Sequence, residues 1–161
     1  GLSERLNISR TEAKTIIDNY FKQYSRVKDY MDQSIEQARE KGYVETILGR
    51  RRYLRDIRSA NATVRGFAER NAINAPIQGS AADLLRLAMI RMDRKIIDQD
   101  LNCKILLQIH DELVIEAPDK NLEKLKKDIV EIMSKASEPD YKFSVPLSVD
   151  IKEGLNWSTA H

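Results

Sequence analysis

His110, Asp111 and Glu112 place an imidazole and two carboxylates on consecutive positions, between two runs of β-branched and aliphatic residues, Lys104–Ile109 and Leu113–Glu116. Runs of that kind read as strands, so residues 103–118 are expected to fold as a β-hairpin whose tip carries the polar triplet. Carboxylates on a rigid tip stand where a metal ion can reach them. The triplet contains none of the Asn-Gly or Asp-Gly chemistry that usually closes a tight turn. Hairpin tips are also polar for solubility alone, and the triplet in isolation fits either role.

Two further groups carry chemistry suited to nucleic acid. Gly49 is followed by five arginines in nine residues, Arg50, Arg51, Arg52, Arg55 and Arg58, with Tyr53 among them. Guanidinium groups bind phosphates bidentately, and an interleaved aromatic can stack on a sugar or base. The same arginines could equally form a solvated loop paired with nearby carboxylates. Arg70 and Asn74 stand four apart, so on a helix they share a face. Gln78 extends that face by another four, across the interruption expected at Pro76. Arg, Asn and Gln donate to base edges and phosphates, and they are ordinary surface residues as well.

The elements that must position these groups follow from periodicity. Ser9 and Glu12 form a capping box, and Ala13, Ile16, Ile17, Tyr20, Phe21 and Tyr24 then recur at helical spacing. Val27, Tyr30, Met31, Ile35 and Ala38 continue the pattern after a break near Ser25, and Gly42 is the expected stop. The aromatic stripe of this helical pair reads as core. Tyr43–Leu48 is a short extended segment. Ala62–Asn74 reads as a helix that Pro76 ends, and Ala81–Gln99 as the next. After the hairpin, Asp119–Ala136 is an amphipathic helix whose lysines alternate with acids, a solvated face rather than a basic patch. Val145, Leu147, Val149 and Ile151 alternate with polar residues, so 144–153 is expected to be a final strand with one buried face. Trp157 is expected to anchor the tail. The order of helices, hairpin, helix and strand is α+β, an antiparallel sheet covered on one face by helices.

At 161 residues the chain can bury a core, and 42% hydrophobic with 32% charged residues fits a globular protein. A net charge of +2 is too small to identify a nucleic-acid binder by itself. The single cysteine, Cys103, excludes an internal disulfide framework and suits a reducing cytoplasm. No apolar run reaches the 18 residues of a membrane span. The chain begins Gly-Leu-Ser rather than Met, as a processed chain or a piece of something longer would.

In combination these segments carry a resemblance. Gln108-Ile-His110-Asp111-Glu112-Leu-Val-Ile-Glu116 resembles the motif C hairpin of family A DNA polymerases. Arg70-Asn-Ala-Ile-Asn74-Ala-Pro76-Ile-Gln78-Gly79-Ser80-Ala-Ala-Asp83 is similar to the segment preceding that hairpin in the family. Tyr43-Val-Glu-Thr-Ile-Leu-Gly49-Arg50-Arg51-Arg52-Tyr53 and the closing Gly154-Leu-Asn-Trp157…Ala160-His161 are similar to family segments in the same order. The resemblance implies that the chain is the C-terminal part of a right-hand polymerase. Residues 1–60 would be a helical rear-fingers segment with its arginine-rich loop, and 61–161 a later palm segment with the motif C hairpin.

It further implies that Asp111 is one of two palm aspartates holding a pair of Mg2+ ions, with Glu112 a weaker active-site residue. Arg70, Asn74, Gln78 and His110 match positions that touch the primer–template near its end, and the implied partners are that DNA and deoxynucleoside triphosphates. Neither the motif A aspartate nor the fingers helix that grips the nucleotide has a counterpart here, so the chain alone is expected not to polymerise, and its uncovered core surface could let it self-associate. Two other classes stand beside this one: a freestanding nucleic-acid-binding module built on Arg50–Arg58, and a nuclease built on Asp111 and Glu112 that would need further ligands.

Overall fold

The computed structural model describes residues 1–160; His161, the end of the closing segment singled out above, lies outside the described residues. The chain forms two compact units, one of Gly1–Glu45 and Arg51–Pro76, the other of Thr46–Arg50 and the chain from Ile77 onward.

The first unit is helical. A short helix α1, Leu2–Leu6, leads into α2, Arg10–Gln23, whose capping box is formed as expected: Glu12 N–H donates to Ser9 Oγ at 3.1 Å and Ser9 N–H to Glu12 Oε2 at 2.9 Å. The helix breaks at Tyr24 and resumes as α3, Ser25–Lys41, which Gly42 ends in the left-handed conformation (φ 80°). Strands β1, Tyr43–Glu45, and β2, Arg51–Tyr53, pair antiparallel, and a 3₁₀ turn at Arg55–Arg58 follows. Arg58 donates from Nε to Arg39 O (2.6 Å) and from Nη2 to Glu40 O (2.9 Å), satisfying carbonyls at the end of α3 that no helical amide reaches. The core is built from Ala38, Val44, Leu54, Ile57, Ala68, Ala72 and Ala75, with Ile35 against it. Four alanines let the backbones approach, and Tyr30 donates its hydroxyl to Ile73 O at 3.0 Å.

One expectation fails here. Ile16, Ile17, Tyr20, Tyr24 and Val27 are exposed, not core. An apolar stripe is buried only if something covers it, and among the described residues α2 packs chiefly on the neighbouring helices α1 and α3.

The second correction is Pro76. It does not divide two helices but lies inside one, α4, Ala62–Asp98. Proline gives no amide hydrogen to the carbonyl four residues back and costs about 3 kcal/mol inside a helix. Burial of apolar residues offsets that cost on both sides of it: Ala68, Ala72 and Ala75 in the first unit, Ala88 and Met92 in the second.

In the second unit, β3, Lys104–Ile109, and β4, Glu112–Glu116, form the expected hairpin. It seats on α4 and on α5, Leu122–Ser134, through a cluster of Met92, Cys103 and Leu125 with Ile96, Ile105, Ile115, Ile129 and Ile132. Burial pushes the Cys103 thiol pKa up, which keeps it a neutral packing group. Lys95 Nζ pairs with Asp128 Oδ1 at 2.6 Å between the two helices, and Arg91 donates to the carbonyls of Lys135 (2.8 Å) and Glu138 (2.6 Å) just beyond α5.

The strand expected over 144–153 is absent: none of these residues pairs in a ladder among the described residues. Alternation specifies a face, but a strand also needs a neighbouring backbone to bond. Leu147, Val149 and Ile151 are half-buried and Val145 is exposed; Val149 and Ile151 line a groove against Lys126, Lys127 and Val130 of α5. Trp157 begins the last short helix, α6, Trp157–Ala160, and keeps 49% of its surface exposed. Among the described residues the antiparallel sheet of the second unit is therefore the hairpin alone, and the class is α+β.

Candidate functional site

Register fixes what the hairpin presents. Ile109 pairs with Glu112, so Glu112 is the first residue of β4 and the turn is only His110 and Asp111. The triplet expected as the loop is thus a two-residue turn plus one strand residue. Such turns need a left-handed residue to match strand twist, and His110 takes that conformation, with φ 52°. Gln108 steadies the turn by donating from Nε2 to His110 O at 2.7 Å. His110, Asp111 and Glu112 are all exposed.

A bulge adds a second adjustment. Ile105 pairs with Ile115 but Leu107 pairs with Val114, leaving Leu106 as the extra residue. Directly opposed residues share a face, so Leu107 lies on Val114's face instead of Ile105's, and 50% of it is exposed. Gln108 thereby comes to the face of Leu113 and Ile115, where it remains exposed.

Arg70, Asn74 and Gln78 occupy successive turns of α4, because the helix is not broken at Pro76; all three are exposed. Arg70 and Asn74 belong to the first unit and Gln78 to the second. The Arg70 guanidinium lies 5.9 Å from the centre of the exposed Phe67 ring.

The arginine cluster divides by role. Arg51 donates from Nε to Glu45 Oε1 at 2.8 Å and stacks 4.6 Å from the Tyr43 ring centre; the bond to Glu45 chiefly holds its pKa above the ordinary value. Arg50 donates from Nε to Asp83 Oδ1 and from Nη2 to the carbonyl of Gly79. Arg52 and Arg55 are exposed and make no ion pair among the described residues. Pairing with carboxylates therefore accounts for Arg50 and Arg51, and Arg52 is left to meet solvent or a ligand.

The residues that seat Arg50 were not evident as a set in the sequence. Ile47 N–H donates to Ser80 Oγ at 2.9 Å, and Arg50 N–H to Thr46 Oγ1 at 3.2 Å. A Cβ on Gly79 would stand 2.7 Å from Thr46 Cγ2. The spacing of Gly79 and Asp83, four apart, was visible in the sequence, but nothing in it tied the pair to Arg50.

Gly79→Ala sets two effects against each other. Alanine gains about 1 kcal/mol of helix propensity, whereas overpacking a buried contact costs about 1–3 kcal/mol. We expect a net loss in thermal stability. Adding Thr46→Ser removes Cγ2 but keeps the hydroxyl that Arg50 uses, and should reverse the sign. A double variant no more stable than Gly79→Ala would show that the contact is not what limits the site.

The donor set at the hairpin tip is hard oxygen, the kind that Mg2+ takes. It is also small. No group of three or more His, Cys, Asp or Glu side chains able to hold an ion occurs among the described residues. Asp111 can supply one carboxylate ligand and Glu112 a second nearby; a complete site needs donors from elsewhere.

Comparison with known proteins decides the family. The model for DNA polymerase family A matches residues 1–159. The chain belongs to DNA polymerase family A. Its family relatives include DNA polymerase I of Streptococcus pneumoniae serotype 4, 50% identical over 160 residues, which cover 99% of this chain and 18% of that protein. DNA polymerase I of Geobacillus stearothermophilus is 47% identical over the same share of each. Among solved structures, the POL domain of Pol1 from M. smegmatis, in complex with DNA primer-template and dNTP, superposes with a TM-score of 0.94 at 45% identity, covering 99% of this chain and 28% of that one. The chain thus spans under a fifth of the length of the family relatives that it matches.

Proposed function

We propose that the full-length protein carrying this chain is a template-directed DNA polymerase that adds deoxynucleotides to a primer 3′ end, with Asp111 as one of its metal-binding carboxylates. The observation that carries this reading is the family match along residues 1–159, which includes a two-residue turn presenting Asp111 outward from a packed hairpin. The solved relative that holds primer-template and dNTP supports the choice of partners.

Two Mg2+ ions, when bound, would activate the primer hydroxyl and neutralise charge on the departing diphosphate. Asp111 would hold them and Glu112 would assist, both fixed by the strand ends. Arg70, Asn74, Gln78 and His110 carry donors suited to minor-groove acceptors. Those acceptors are alike in A·T and T·A pairs and recur in G·C pairs, so such contacts test pairing geometry without selecting sequence. Arg52, on β2, would contact phosphate, with Arg50 and Arg51 just before it in sequence. Taken alone the chain offers one such aspartate and should be inactive, and the exposed apolar stripe of α2 gives it a surface for self-association.

Primer extension by the full-length protein, with and without Asp111→Ala, tests the reading. Arg70→Ala or Gln78→Ala should weaken primer–template binding about tenfold, the size of one or two lost hydrogen bonds to a charged or buried partner. Titration of labelled primer–template, matched and mismatched at the 3′ end, checks this. Unchanged affinity together with unchanged mismatch discrimination would remove those residues from the interface.

A further inference from the structure

We infer that Asp83 is a positioning residue for DNA binding: it holds the Arg50 guanidinium so that its free edge presents to a backbone phosphate. The inference rests on the polymerase reading above and adds a residue to it. Asp83 is 7% exposed and lies one helical turn beyond Gly79 on α4. Its Oδ1 accepts from Arg50 Nε at 2.8 Å, and its buried Oδ2 has no hydrogen-bond partner among the described residues. A buried carboxylate with one cationic partner holds that partner firmly, since losing it would strand the charge. The second contact, Arg50 Nη2 to Gly79 O at 3.1 Å, fixes rotation of the guanidinium plane.

These two bonds use two of the five N–H donors of the group. The remainder belong to a side chain that is still 49% exposed. The backbone under it is held as well: Thr46 N–H donates to Arg50 O at 3.0 Å, Gly49 N–H to Thr46 O at 2.9 Å, and Ile47 N–H to Ser80 Oγ. Gly49, at φ 80°, provides the left-handed step that this loop requires. An arginine fixed on one edge and open on the other is preorganised for a phosphate oxygen, because little side-chain freedom remains to be lost on binding.

The test is a double-mutant cycle in the full-length protein, with Arg50→Ala, Asp83→Ala and both together. The readout is the primer–template Kd as a function of salt, taken well below the melting temperature of each variant. Each single substitution should weaken binding about five- to tenfold near 0.1 M salt and lower the slope of log K against log salt by about one. The double variant should be no weaker than either single, because Asp83 acts through Arg50. If Asp83→Ala does not fold, Asp83→Asn keeps the volume and removes the charge, and should give a smaller loss in the same direction.

Additive losses would make Asp83 merely structural and overturn the proposal, as would wild-type binding by Arg50→Ala or by the Asp83 variant that folds. A protein that extends primers yet shows no Arg50 effect sinks this proposal and leaves the polymerase reading standing. One that binds no primer–template removes both.

Discussion

Asp111→Ala in the full-length protein should lower kcat about a thousandfold or more while leaving primer–template affinity within about threefold. A carboxylate that holds catalytic metal contributes several kcal/mol to transition-state charge stabilisation, and about 4 kcal/mol is a thousandfold in rate. The affinity should survive because the contact matters mainly in the transition state. The fold should survive too. The Asp111 side chain is exposed and makes no hydrogen bond or ion pair among the described residues, and the turn is held instead by Gln108 and by the Ile109–Glu112 pair. Single-turnover extension and DNA titration on the same preparation separate the outcomes. An unchanged kcat would exclude Asp111 from catalysis, and a collapse of DNA binding would make it structural.

Met92→Ala should have the largest effect on stability. Met92 is 1% exposed in the cluster where α4, α5 and the hairpin meet, beside Cys103 and Leu125. Truncating a buried methionine costs about 2–5 kcal/mol, the loss of burial plus the cavity left behind. That is a large share of the roughly 5–15 kcal/mol that holds a domain together. Amide hydrogen exchange along β3 and β4 reads the loss where it acts, and protection there should fall by at least about tenfold. Arg94→Ala, at an exposed position of the same helix, is the control and should change little. If Met92→Ala is as mild as that control, the cluster is not what seats the hairpin.

The parts legible in the sequence were those determined by near neighbours. Ser9 and Glu12 specify the start of α2 within one turn, Gly42 specifies the end of α3, and the aliphatic runs on either side of His110 specify a hairpin. The parts not legible depended on distant residues. Pro76 reads as a break because its cost is local and what offsets it is not. The alternation of 144–153 is genuine, yet a ladder partner is not a property of the segment itself. The α2 stripe is amphipathic whether or not anything covers it. At the site, Asp111 and the spacing of Arg70, Asn74 and Gln78 could be read directly, whereas the Arg50–Asp83 seat joins residues 33 apart that only the fold brings together. The Leu106 bulge leaves no mark in composition at all, since one leucine among three gives no sign that it is unpaired.

The hairpin's register also decides which kinds of sequence change it can absorb. Strand faces alternate with a period of two, so adding or removing one residue carries every later side chain to the opposite face. The bulge already shifts the phase once, and the turn has no spare residue between Ile109 and Glu112. Point substitutions here alter one side chain at a time. A single-residue insertion or deletion within either strand would carry the side chains beyond it to the opposite face. For directed diversification, the exposed positions of this stretch other than Asp111 are more open to changes of letter than the stretch is to changes of length.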